Sequence, residues 1–210
     1  NEALTHPLVS KVIEQIQVKV EGYNFDVRKS LVEYDDVINK QRQIIYKLRD
    51  NTLQTPSKEE VFKYLENQIN SIIATENINE FFEILPLPET ERKKIKLENM
   101  MDLLKKEWKR REEYFGADIS KSIMIYAIIS TIDPLWVEHL TALDDLRDGV
   151  RLRGYAQKDP LIEYRKEGFD MFQKLMNQFE YNLARKLFRL EPVTIPQAQT
   201  VPENASETRG

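Results

Sequence analysis

The segment LRGYAQKDP, residues 152–160, separates two long stretches of helical periodicity. Gly154 supplies a residue that can turn, Asp159 suits a helix N-cap, and Pro160 suits the first helical position, where its missing N–H costs nothing. The flanking runs, 118–150 and 160–190, therefore read as an antiparallel helical hairpin with a tip of about nine residues. The returning helix carries Tyr164, Phe169, Phe172, Leu175, Met176, Phe179, Leu183 and Leu187 on one side. Pro134 interrupts the outgoing pattern and is expected to kink it or to mark a fresh start after Asp133. A turn of this kind requires neither the aromatic Tyr155 nor its basic neighbours Arg153 and Lys158.

Upstream of the hairpin, residues 7–49 read as one very long helix. Val9, Ile13, Ile16, Val20, Tyr23, Val27, Leu31, Tyr34, Ile38, Ile45 and Leu48 form a single stripe at spacings of mostly three and four. Gly22 is its weak point, costing about 1 kcal/mol relative to alanine. So long a stripe exceeds the needs of a compact bundle and suggests a scaffold helix against which several units pack. Residues 50–56 break the pattern, and Ser57 with Glu60 three residues later forms a capping-box signature. Val61, Phe62, Leu65, Ile69, Ile72 and Ile73 continue that helix, and ILPLPET (84–90) is a turn. A charged helix over 89–114 is expected, with Ile95, Leu97, Met101, Leu104 and Trp108 on its apolar side. The organisation that follows is all-α: a long scaffold helix (1–50), an inserted small helical subdomain (51–117), the hairpin (118–190) and a Pro-rich disordered tail (191–210).

The composition closes off several classes of function. The 210 residues are 41% hydrophobic and 31% charged, with a net charge of −4, which gives no reason to expect nucleic-acid binding. There is no cysteine, so disulfides, thiol catalysis and Cys-based zinc sites are excluded. No GxxxxGK[ST] phosphate loop, GxGxxG or HExxH occurs. The richest apolar run, Ile123 to Ile132, is shorter than a membrane span, and no signal-peptide pattern opens the sequence. A cytoplasmic protein fits these features.

Few residues suggest chemistry. Asp35–Asp36 and Asp144–Asp145 are helix neighbours that do not face each other, so they read as solvated or salt-bridged acids; Asp35 could also meet a basic partner surface. Glu138–His139 resembles half a metal site but has no ligand at the next turn, where Leu143 sits, and reads as a polar helix face. Trp108 and Trp136 fall on apolar periodicity and read as core, with Trp136 placed to brace the hairpin. Residues 147–166 carry six basic and three acidic side chains, a local charge of +3 in an acidic chain. That is either an ordinary charged loop or a basic, aromatic-tipped prong that approaches a polypeptide or an anionic partner.

Two strings decide between these readings. FDVRKSLVEYDDVINKQRQIIY (25–46) resembles the long scaffold helix of the SecA preprotein-translocase ATPase family, and IDPLWVEHLTALDDLRDGVRLRGYAQKDPLIEYRKEGFDMF (132–172) resembles its two-helix finger. The resemblance covers about residues 1–190 in the family's order, with 50–117 falling where the family has its helical wing. It implies a C-terminal portion of SecA, without the nucleotide-binding motor, the preprotein cross-linking domain or the Cys/His zinc tail. This chain is then not itself an enzyme and holds no cofactor, ATP and Mg²⁺ belonging to the motor. In the family the scaffold helix contacts both motor domains, and the finger tip enters the SecY channel and touches the translocating chain. The tip Arg153, Gly154, Tyr155, Ala156, Gln157 and Lys158 matches that contact. Arg28 and Asp35 match scaffold positions facing the motor, and Arg153 with the surrounding hairpin matches the segment that regulates ATP hydrolysis. The implied partners are the motor domains, the SecY/SecE/SecG channel, unfolded preprotein and, peripherally, the anionic inner face of the plasma membrane. A stand-alone helical adaptor with a protein-binding hairpin would explain the stripes equally well, but not the two strings.

Overall fold

The computed structural model describes residues 7–153 and 159–190. Among the described residues the protein is all-α, as expected. Its helices are α1 (Pro7–Gln54), α2 (Lys58–Thr75), α3 (Ile78–Ile84), α4 (Glu89–Arg92), a 3-10 turn (Leu97–Asn99), α5 (Met100–Phe115), α6 (Ala117–Arg153) and α7 (Pro160–Arg189). The expected disordered tail lies outside the described residues.

Three long helices form the frame. Ser130 of α6 meets Lys186 of α7, and Leu143 meets Gly168, so α6 and α7 run antiparallel. Gln41 and Arg49 of α1 meet His139 and Asp133, so α1 runs antiparallel to α6. Tyr34 and Gln41 meet Tyr164 and Gly168, which sets α1 parallel to α7. The α7 end of the α6–α7 turn is punctuated as expected: α7 starts at Pro160, and the Asp159 carboxylate accepts from the Leu161 N–H at 2.9 Å.

The core joins this frame to the intervening helices. Ile45 of α1, Leu65 and Ile72 of α2, Phe81 of α3, Leu104 of α5, Ile132 of α6 and Phe179 and Leu183 of α7 are buried in one continuous cluster. Each such side chain contributes about 1.5–3 kcal/mol relative to exposure. Tyr64 packs edge-on against Phe179, with ring centroids 5.3 Å apart, and fastens α2 to α7.

Several local expectations are corrected. Helix α1 continues to Gln54 rather than stopping at 49, because Thr52 is buried and bonds its hydroxyl back to Leu48 O at 2.7 Å. Ser57 does cap α2, accepting from the Glu60 N–H, but the acid that Ser57 bonds is Glu59, at 2.9 Å. The short α3 is an addition to the expected elements. The single helix over 89–114 is instead α4, the 3-10 turn and α5. Ile95 and Leu97 are two residues apart and cannot share a helix face, yet both pack on the core, so the backbone leaves the helix to let them. Gly116, at φ +86°, then separates α5 from α6.

Pro134 does not end α6, which runs through it. Proline removes the N–H that Ser130 O would have accepted. The Lys186 ammonium takes that place, donating to Ser130 O at 2.8 Å and to Ser130 Oγ at 3.0 Å. One further correction concerns α6. A window within Ala117–Val150 is long and apolar enough to cross a membrane. Its Met124, Ala127, Ile128, Ile132 and Leu143 are nonetheless buried against neighbouring helices, which is the pattern of a core helix. On α7, Phe169 is exposed, not part of the apolar face; Gly168 occupies the inner position.

Candidate functional site

Helix α1 has two halves with different surroundings. It is 48 residues long, about 72 Å at 1.5 Å per residue. From Tyr34 onward its stripe is buried or half-buried, at Tyr34, Val37, Ile38, Gln41, Ile45 and Leu48. Before Tyr34 the same stripe faces solvent: Ile16 is 55% and Tyr23 71% exposed, and Val12, Ile13, Val20, Phe25, Val27 and Leu31 are exposed as well. So long a run of apolar surface along one helix is the mark of a face built to be covered. Arg28 sits within this half, exposed, and Asp35 lies just beyond it, also exposed.

About two turns into its buried half, at Gln41, α1 is fastened by a buried polar chain. His139 is 5% exposed, between the Trp136 ring at 5.7 Å and the Phe172 ring at 5.8 Å. It is therefore not on a polar helix face, as its sequence context suggested. Its Nε2 lies 2.7 Å from Gln41 Oε1, and Gln41 Nε2 donates to Gly168 O at 2.9 Å. A backbone carbonyl only accepts, so the Gln41 amide orientation is set, and His139 must carry its hydrogen on Nε2. Burial holds the His139 pKa below its ordinary value, favouring the neutral ring. Trp136 is buried in the main core beside it.

A second, smaller cluster lies toward the hairpin tip. Tyr34, Leu143, Leu146, Val150 and Tyr164 are buried together, with the two tyrosine rings edge-on at 4.9 Å. Burial pushes the Tyr164 hydroxyl above its usual pKa; Arg147 opposes this, and Asp144, Asp35 and Tyr34 add to it. Asp144 is tied to Arg147 at 3.2 Å. Helix α6 ends at Arg153. The remaining tip positions, Gly154, Tyr155, Ala156, Gln157 and Lys158, lie outside the described residues. Among the described residues no group of three His, Asp or Glu side chains comes together to hold a metal.

These features give a long helix with one uncovered half, which leaves the body on the side of the hairpin tip, beyond a buried polar junction. The family model for the SecA wing and scaffold domain matches residues 3–191. The chain belongs to the SecA wing and scaffold family. It is accordingly the C-terminal, helical portion of a SecA protein, a cytoplasmic component of the protein-translocation system. Within the matched residues α1 is the long helix against which the α6–α7 hairpin packs, and it joins the core of α2, α3 and α5.

Gln41 and Gly168 are not among the residues the sequence singles out, and His139 is singled out only beside Glu138 as half a metal site, although a signal for the junction is present. Gln41 fills the seven-residue gap between Ile38 and Ile45 in the α1 stripe. Gly168 stands four residues from both Tyr164 and Phe172, and His139 stands three from Trp136 and four from Leu143. A polar or bare residue on a core stripe marks a place where helices touch through something other than hydrocarbon.

Proposed function

We propose that this SecA portion couples and regulates the ATPase motor, passing movement of the motor domains through α1 to the hairpin. The observation that carries this reading is the division of α1: its second half is built into the body, while its first half presents an apolar face from Ile13 to Leu31. Apolar surface of this kind recovers burial energy when a partner covers it, at roughly 25 cal/mol per Å². The motor domains are that partner, with Arg28 and Asp35 making the polar contacts at its margin. A rigid helix carries displacement at one end to the other, and a two-state arrangement of motor on scaffold would then bias the hairpin.

The hairpin end does the second part of the work. Arg153, Gly154, Tyr155, Ala156, Gln157 and Lys158 reach into the SecY channel, with SecE and SecG completing it, and contact the unfolded preprotein. A tyrosine suits that role because its flat ring packs on many side chains and its hydroxyl remains hydrated. Trp136 stiffens the mount from the hairpin's base. ATP and Mg²⁺ are held by the motor domains, and this chain contributes no group to their chemistry. Work at the channel would bring the protein to the anionic inner face of the plasma membrane. The domain divisions near residues 50, 117 and 190 would separate scaffold helix, wing, finger and tail.

The test is a titration of this chain into the separately expressed motor half of the same SecA, recording ATP hydrolysis. Saturable binding that changes the hydrolysis rate is the expected result. A titration that leaves the rate unchanged at every concentration speaks for a stand-alone helical adaptor.

A further inference from the structure

An apolar stripe fixes the rotation of a helix better than its axial position. Residues at spacings of three and four recur along α1, so a shift of one turn, about 5.4 Å, still presents hydrocarbon to the hairpin. The junction of α1, α6 and α7 contains a feature that does not tolerate such a shift. His139 Nε2 and Gly168 O are both satisfied by one amide, that of Gln41, at 2.7 and 2.9 Å. Gln41 and His139 are buried. Sliding α1 by a turn would leave the imidazole N–H unpaired and bury an empty amide elsewhere, each at full desolvation cost. Gly168 contributes a second constraint. A Cβ built on it would lie 3.3 Å from Leu143 Cδ2 and 3.6 Å from Val37 Cγ1. The absence of a side chain thus lets α1, α6 and α7 converge at the level where its carbonyl is used.

We propose that Gln41, His139 and Gly168 form a register lock that fixes the axial position of the scaffold helix against the two-helix hairpin. A single buried polar group is well suited to that task, since it stabilises little net but excludes alternative registers. The consequence for coupling rests on the function proposed above: with the lock closed, load on the exposed half of α1 reaches the hairpin without slip. Gln41 and His139 are positioning residues that act through the helices they hold.

The cysteine-free sequence makes the test direct. Spin labels at Lys40→Cys on α1 and Arg165→Cys on α7, both exposed positions, report the axial offset. The unaltered junction gives one narrow distance distribution. His139→Phe keeps a ring between Trp136 and Phe172 but cannot donate, and Gln41→Met removes both bonds at similar volume. In each, the distribution broadens or gains a second component, as expected when α1 slips by one helical turn, about 5.4 Å, along its axis. His139→Gln, whose amide can donate to Gln41, restores the narrow distribution. Narrow, unshifted distributions in both variants, with helicity intact, would overturn the lock. Loss of the cooperative melt in both would also overturn it, since the network would then hold the fold and not its register. The same variants titrated into the motor half separate this inference from the reading beneath it. With both correct, the chain's effect on hydrolysis falls by about fivefold or more, the lower end of typical coupling. Broadened distances with an undiminished effect would leave the lock standing and remove the coupling role.

Discussion

Lys186→Met isolates the contact that lets α6 pass through Pro134. Pro134 has no N–H, so Ser130 O loses its intrahelical donor, and the Lys186 ammonium donates to it at 2.8 Å and to Ser130 Oγ at 3.0 Å. A hydrogen bond from a charged group contributes about 1.5–3 kcal/mol. Two effects reduce this here. Burial disfavours the ammonium, holding the Lys186 pKa below its ordinary value, and the site is only partly buried, so water can reach the freed carbonyl. A net loss of ~1.5 kcal/mol follows, which in a domain of this size lowers Tm by about 3–6 °C. The mechanism makes a sharper demand. Pro134→Ala returns the backbone donor, so Lys186→Met in that background should cost ~1 kcal/mol less. Thermal and urea melts of the four proteins in this cycle measure the difference. Equal costs in the two backgrounds would refute the idea that Lys186 substitutes for the proline's missing N–H.

Two further predictions concern glycine and histidine. Gly22 lies in α1 with no atom within 4 Å of where an alanine Cβ would stand, so Gly22→Ala raises stability by about 0.5–1 kcal/mol, whereas Gly116→Ala, at φ +86° and ψ 162°, lowers it by about 1–3 kcal/mol; paired urea melts show opposite shifts in midpoint. His139 has a folded pKa below its unfolded value because of burial, so the unfolded chain binds the proton more readily. That contribution to stability is present above the unfolded value of about 6.5 and is lost as pH falls from there through the folded pKa. The Tm should therefore drop between about pH 7.5 and pH 5 by more in the parent protein than in His139→Phe, as read by circular dichroism melts at both pH values.

What is legible in the sequence depends on local rules. The hairpin, the Ser57 and Asp159 caps and the α1 stripe rest on periodicity and side chains that bond within their own turn, and each appears in the structure. What is hidden depends on partners distant in sequence. Pro134 reads as a break because the compensating Lys186 is 52 positions away on another helix. His139 reads as surface because its neighbour Glu138 is acidic, while the burial that decides its environment comes from Trp136 and from Phe172 across the hairpin. The 89–114 segment reads as continuous because a count of apolar residues does not register that Ile95 and Leu97 would point to different sides of one helix. The role proposed for the hairpin tip rests on resemblance alone: a helical turn imposes no physical requirement for Tyr155 in LRGYAQKDP.

The coupling role stands or falls on whether the first half of α1 is the seat of the motor. Side-chain footprinting by hydroxyl radicals, with and without the motor half, reads this surface residue by residue. Protection is expected at Ile13, Ile16, Val20, Tyr23 and Val27, all exposed in the chain alone, with little change at exposed hairpin positions such as Val137 and Phe169. Protection confined to the hairpin, with Ile13 to Val27 still reactive in the complex, would contradict it.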